Sequence, residues 1–131
     1  MKDFNEYFSM IKRWYNNINN SSISIPSTVF NDGYTASIQA SNHHYSEPRE
    51  DWKEGIEYTQ FEIGFPSTVD DILLPYGEAN FEYDDDDNEV ELLPDIFPYT
   101  PIEVINKLIE IHKGIDIDKM KGNAIINKLK H

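Results

Sequence analysis

Along the first eighteen residues the apolar positions recur at spacings of three and four. Phe4, Tyr7 or Phe8, Ile11, Trp14 or Tyr15, and Ile18 follow that rhythm, with Lys12, Arg13 and Asn16 between them. A period near 3.6 predicts an amphipathic helix over 3–18, ended by Asn19, Asn20, Ser21 and Ser22. The period then shortens to two. Tyr34, Ala36, Ile38 and Ala40 alternate with Thr35, Ser37, Gln39 and Ser41, the pattern of a half-buried strand. Before it, Pro26 sits in an extended stretch and Val29-Phe30 leads into Asn31-Asp32-Gly33. Asn, Asp and Gly are the residues that accept tight-turn geometry, so 27–30 and 34–41 are expected to pair as a hairpin.

Residues 42–55 are polar and irregular, with Gly55 as a stop. A second strand is expected over Ile56–Phe65, with Ile56 and Tyr58 on one side and Thr59, Phe61, Ile63 and Phe65 on the other. Pro66 ends it, having no N–H for a ladder. Ser67 or Thr68 is placed to cap a short helix running to Leu74. Asp70 and Asp71 fall in its first turn, where the helix dipole favours acids, and Pro75 and Gly77 close it. Val90, Leu92 and Leu93 read as a third short strand, which puts Asp84-Asp85-Asp86-Asp87 at the tip of a loop after Phe81-Glu82-Tyr83. The clearest helix follows. Thr100 as N-cap, Pro101 at the first helical position and Glu103 make a T-x-x-E capping box. Ile102, Ile105, Leu108, Ile109 and His112 line one face, and Gly114 supplies the C-cap. A last helix over roughly 116–130 carries Met120, Ile125, Ile126 and Leu129 with four lysines, weakened by Gly122 and Asn123. The expected fold is one α+β domain over 1–131, a small antiparallel sheet packed against the N-terminal and C-terminal helices.

Composition narrows the class. At 39% hydrophobic and 13% aromatic, the 131 residues hold enough apolar side chain for a core, which argues against a disordered acidic polypeptide. No apolar run approaches the roughly 20 residues that span a membrane. Asp3, Asn5, Glu6 and Ser9 interrupt the first eleven residues, unlike a signal peptide. The chain has no cysteine, hence no disulfide framework and no thiolate metal site, which suits the cytoplasm of a bacterial cell. Abundant Asn, Ile, Lys, Tyr and Asp beside scarce Ala and Arg fit an AT-rich genome, such as a low-GC bacterium or its phages.

The net charge of −13 is unevenly spread. Residues 1–46 balance three acids with three bases, and 96–131 hold four acids and six lysines. Residues 47–95 hold 17 acids against only Arg49 and Lys53, a block of −15. Its centre is 78–95, with Glu78, Glu82, Asp84, Asp85, Asp86, Asp87, Glu89, Glu91 and Asp95. Tyr76, Phe81, Tyr83, Phe97 and Tyr99 are interleaved with these acids, either as anchors at a charged rim or as core residues of a loop-rich segment.

Catalytic and metal motifs find little support. His43 and His44 are adjacent, so on an extended chain they point opposite ways and do not share a metal. No His pair has the i, i+4 spacing of a zinc enzyme. The Asp84–Asn88 run lacks the alternation and the glycine of a calcium loop. Glu57 and Glu62 are the nearest thing to a carboxylate pair, on what reads as a solvated strand face. No nucleophile elbow, P-loop or Rossmann glycine pattern occurs. No cofactor is expected. The C-terminal lysines are too few to grip phosphates directly, so neither direct nucleic-acid binding nor membrane binding is expected. Arg49 serves either as an internal partner that fixes its loop or as a functional arginine.

In size, acidic block and composition the chain resembles the small acidic proteins that phages and mobile elements direct against host defences: DNA mimics, anti-restriction proteins and anti-CRISPR inhibitors. Tyr45-Ser46-Glu47-Pro48-Arg49, Tyr58 and Phe61-Glu62-Ile63-Gly64-Phe65-Pro66-Ser67 are similar to a pattern in phage-type proteins with no assigned activity. The first resemblance implies a non-enzymatic inhibitor that covers the basic nucleic-acid-binding surface of a host-defence nuclease, an RNA-guided one included. The expected contact residues, taken from charge position, are Glu78, Glu82, Asp84–Asp87, Glu89, Glu91 and Asp95, with Phe81 and Tyr83 as anchors. Two alternatives stand beside it: a phage or bacterial protein–protein interaction module working through an apolar face, and a cation-dependent carboxylate enzyme.

Overall fold

The computed structural model describes residues 3–19 and 23–130. The chain runs α1 (Phe4–Asn19), β1 (Thr28–Val29), β2 (Thr35–Gln39), β3 (Gln60–Gly64), β4 (Asn80–Tyr83), β5 (Glu89–Leu92), β6 (Ile96–Pro101), α2 (Ile102–Ile111) and α3 (Ile117–Lys130), with a 3-10 turn at Asp71–Tyr76 before β4. It is α+β, as the changing period implies. β1, β2, β3 and β6 form an antiparallel sheet in that order, and β4 and β5 pair only with each other. Among the described residues no helix is long and apolar enough to cross a membrane.

α1 buries its predicted stripe. Phe4, Tyr7, Phe8 and Ile11 are fully buried, and Phe4 and Phe8 meet Phe61 of β3 edge-on at centroid distances of 5.0 and 5.5 Å. Ile38, Ile63, Leu73, Phe97, Ile105, Leu108 and Met120 complete the same core. The helix start is satisfied from outside, because the Phe4 amide donates to Asn106 Oδ1 at 3.0 Å. The expected stop at Asn20, Ser21 and Ser22 lies outside the described residues. The β1–β2 hairpin forms over the predicted turn. Gly33 takes φ 92, where a Cβ would be strained, and the Phe30 amide donates to Tyr34 O at 2.8 Å.

Four local expectations are corrected. The second strand starts at Gln60 instead of Ile56. Residues before it are claimed by other partners: Asn5 exchanges two hydrogen bonds with the Tyr58 backbone, and the Thr59 amide donates to Glu47 O. Phe65 does not continue the buried face; with φ 49 it leaves the strand and stands 67% exposed. Neither Ser67 nor Thr68 caps a helix. The Ser67 hydroxyl accepts from the Thr35 amide, and the segment is a 3-10 turn whose N-cap is Asp70. The T-x-x-E box does not form, because Thr100 is a buried residue of β6 whose hydroxyl donates to Phe97 O at 3.0 Å. α2 therefore starts at Ile102 with Pro101 as its N-cap, and it closes through left-handed Lys113 (φ 69) followed by Gly114 (φ 93).

Candidate functional site: an acidic arm

The 78–95 segment builds an arm. Its root is tied to the sheet at several points. The Glu78 amide donates to Ile96 O at 2.9 Å, the Phe65 amide to Asp95 O at 2.7 Å, and Asn80 Nδ2 to Leu93 O at 2.9 Å. Gly77 lets the two ends of the arm approach, since a Cβ there would overlap the Pro94 ring. Beyond this root β4 and β5 pair in the register Asn80–Leu92, Phe81–Glu91, Glu82–Val90 and Tyr83–Glu89. Strand alternation then assigns the faces. Phe81 and Tyr83 share one face with Glu89 and Glu91; Asn80, Glu82, Val90 and Leu92 share the other. Every residue from Phe81 to Leu93 is exposed.

The tip is a three-residue loop in which a type I turn is followed by a left-handed residue. The Asp87 amide donates to Asp84 O at 3.0 Å, the Asp84 amide to Asn88 O at 3.0 Å, and Asp87 has φ 60. Aspartate tolerates that conformation better than most side chains. Asp84 organises the loop: its Oδ1 accepts from the amides of Asp86 and Asn88, each at 2.9 Å. The bond from the Asn88 amide first, helped by those from the Asp86 amide and the Asn88 side chain, outweighs the opposing effect of burial and holds the Asp84 carboxyl below its ordinary range. The tetra-aspartate is thus a shaped turn with Asp85, Asp86 and Asp87 carried outward.

The arm brings together Phe81, Glu82, Tyr83, Asp84–Asp87, Glu89 and Glu91, while Glu78 and Asp95 stand at its root. Of the interleaved aromatics, Phe81 and Tyr83 are 47% and 68% exposed, whereas Phe97 is core. The exposure of Val90, Leu92 and Leu93 on the same arm is a feature that their reading as an ordinary strand missed.

Nearby, Arg49 holds its own loop. Its guanidinium lies 5.0 Å from the Tyr45 ring centroid, and its Nε donates to Asn42 O at 3.2 Å. Glu62 is half-buried. Burial pushes its carboxyl up, opposed by a hydrogen bond from the Tyr45 backbone and reinforced by the charge of Glu78. Glu57 is exposed. Ser41 Oγ lies 2.7 Å from His44 Nδ1. Among the described residues no group of three or more His, Cys, Asp or Glu side chains is placed to hold a metal ion.

A second cluster was not legible in the sequence. His112, at the end of α2, sits between two carboxylates: Nδ1 is 2.7 Å from Asp32 Oδ2 and Nε2 is 2.6 Å from Asp70 Oδ2. The Tyr34 ring stacks on the imidazole at 3.8 Å and 9°, and Phe30 packs beside it at 5.6 Å. Burial disfavours the charged ring, but the hydrogen bonds that its N–H groups donate to Asp70 and Asp32 outweigh it and raise the His112 pKa. Burial, with the charges of Asp70 and Asp32, also drives the Tyr34 phenol upward. Both imidazole nitrogens are taken by the chain's own carboxylates, so neither is open to a substrate or a metal. The cluster is a clamp that ties the β1–β2 turn and the segment after Pro66 to the end of α2. Its partners lie 80 and 42 residues away in sequence, beyond any local pattern.

No protein-family profile, curated protein or solved structure matches the chain.

Proposed function

We propose that the protein is an inhibitor whose acidic arm occupies the basic nucleic-acid-binding surface of a host-defence nuclease, acting in the bacterial cytoplasm. The observation that carries this reading is the arm's combination of charge and shape. Residues 78–95 hold nine acids and no lysine or arginine, on a hairpin that stands clear of the core with its tip held by Asp84.

Same-face carboxylates on a strand, such as Glu89 and Glu91, are about 6.8 Å apart. That spacing is comparable with successive phosphates along an extended nucleic-acid strand. A concentrated negative field steers the arm to a positive groove and raises the encounter rate. Phe81 and Tyr83, exposed among the acids, supply contact area that converts attraction into specificity. A prefolded hairpin also loses less entropy on docking than a flexible tail.

The test is capture from a bacterial lysate with the parent protein and with a variant in which Asp84–Asp87 are all asparagine. The expected result is that the parent retains nucleic-acid-binding enzymes that competitor DNA or RNA and high salt release, and that the variant loses them. Retention of the same proteins by the variant, or indifference to competitor nucleic acid, would rule the reading out.

A further inference from the structure

The arm is not the only unpartnered apolar surface. α3 rests on the core through buried Met120 and Ala124 and partly buried Ile117, whereas Ile125, Ile126 and Leu129 are 47%, 51% and 82% exposed. At 100° per residue, Gly122, Ile125, Ile126 and Leu129 form one strip on the side away from Met120 and Ala124. Lys121 and Lys128 flank the strip on one side, and Lys119 and Lys130 on the other. The helix holds four lysines against Asp118, a local excess of three positive charges in a chain of net −13.

We propose that the protein assembles head to tail, the Phe81/Tyr83 face of one copy's arm docking on the lysine-flanked Gly122–Ile125–Ile126–Leu129 strip of α3 of the next copy.

The two surfaces complement each other in three respects. Both present apolar side chains to water. Their rims carry opposite charge: Glu89 and Glu91 stand opposite Tyr83 and Phe81 across the hairpin, and lysines border the strip. Their spacings agree, since Phe81 and Tyr83 are about 6.8 Å apart along a strand and Ile125 and Leu129 about 6 Å apart along a helix. Gly122 leaves a flat place on the strip where a ring can lie, with nothing within 4 Å of where its Cβ would be.

Topology makes the contact intermolecular. α3 packs at the β1 edge, where the Asp116 amide donates to Val29 O at 2.7 Å. The arm is rooted on β6, at the opposite edge of the four-stranded sheet. A heterologous contact of this kind propagates into open chains or closes into rings. The area is small, so the association belongs with weak, transient interfaces, with a dissociation constant on the order of tens to hundreds of micromolar.

The inference does not rest on the inhibitor reading, because its test uses only purified protein. Sedimentation velocity is run over a concentration series at physiological ionic strength, where screening confines charge effects to about 8 Å. Three proteins are compared: the parent, an arm variant (Phe81→Ser with Tyr83→Ser) and a helix variant (Leu129→Glu). All three substitutions fall at exposed positions, and circular dichroism checks each fold.

The parent is expected to grow in mass with concentration, each variant to stay monomeric, and an equimolar mixture of the two variants to form dimers that go no further. That mixture pairs the one intact arm surface with the one intact helix surface. A parent that stays monomeric, a mixture no larger than its components, or a dimer that survives in both variants would each overturn the proposal. So would a parent that remains monomeric and binds phosphatidylserine vesicles through Leu129, since the strip would then face a membrane.

Discussion

Replacing His112 by phenylalanine keeps a ring stacked on Tyr34 and removes both hydrogen bonds to Asp32 and Asp70. The imidazole is 10% exposed, and its carboxylate partners are 32% and 22% exposed, so the bonds are formed partly out of water. Hydrogen bonds to charged groups contribute about 1.5–3 kcal/mol each in mutational series. Solvent access to the carboxylates reduces that, and loss of the ring's pair of bonds is expected to cost about 2–3 kcal/mol. With an unfolding entropy of about 2.1 cal/mol/K per residue, a domain of this length should melt about 7–11 °C lower.

The pH dependence has a definite sign. The His112 pKa is raised, so its contribution is full below the ordinary histidine value of about 6.5 and fades as pH rises through the raised value. Asp32 moves the other way. The His112 bond first, then the Tyr34 amide, hold its carboxyl below the usual range, so its contribution is lost only in acid. The clamp is therefore complete between about pH 4 and pH 6.5. Differential scanning fluorimetry of parent and His112→Phe across pH should show the widest gap in that window and a narrower one near pH 9. An equal gap at pH 6 and pH 9, or no gap at pH 6, would refute the reasoning.

Two further substitutions probe the arm. Asp84→Ala removes the acceptor for the Asp86 and Asn88 amides. It should abolish amide-exchange protection at the tip while leaving the melting temperature within about 1 °C, as expected for an exposed hairpin outside the core; unchanged protection would show that the tip is held otherwise. Gly77→Ala drives a methyl group into the Pro94 ring. It should cost about 1–3 kcal/mol and shift the NMR signals of Asn80 and Leu93 at the arm's root, and a silent spectrum would contradict the packing described there.

What the sequence made legible was whatever depends on neighbours along the chain. The stripe of α1, the Asn31-Asp32-Gly33 hairpin, the face of α2 and the tetra-aspartate at a loop tip all follow from period and turn chemistry. What it hid was set by distant partners. Thr100 satisfies a capping motif on paper, but β3 draws it into the sheet and Phe97 O takes its hydroxyl. The side chains of Ser67 and Asp70 are spent on Thr35 and His112, so neither side chain caps the turn at Asp71–Tyr76. Phe65 extends an alternating pattern until its backbone turns left-handed against Asp95. For the arm, charge position marked where the acids cluster, but which side chains share a face required the β4–β5 register, and the exposed strip of α3 required knowing that Met120 and Ala124 are the buried side of that helix.

The central claim is that the arm stands in for nucleic acid in a positive channel. The most direct measurement is inhibition of the captured nuclease at increasing substrate concentration, with the parent and with the variant carrying asparagine at 84–87. Each exposed charge pair contributes a few tenths of a kcal/mol, so losing four is expected to weaken inhibition about ten-fold or more. Added substrate should relieve what the parent achieves. Equal potency of the two proteins, or inhibition that no amount of substrate relieves, would contradict the account.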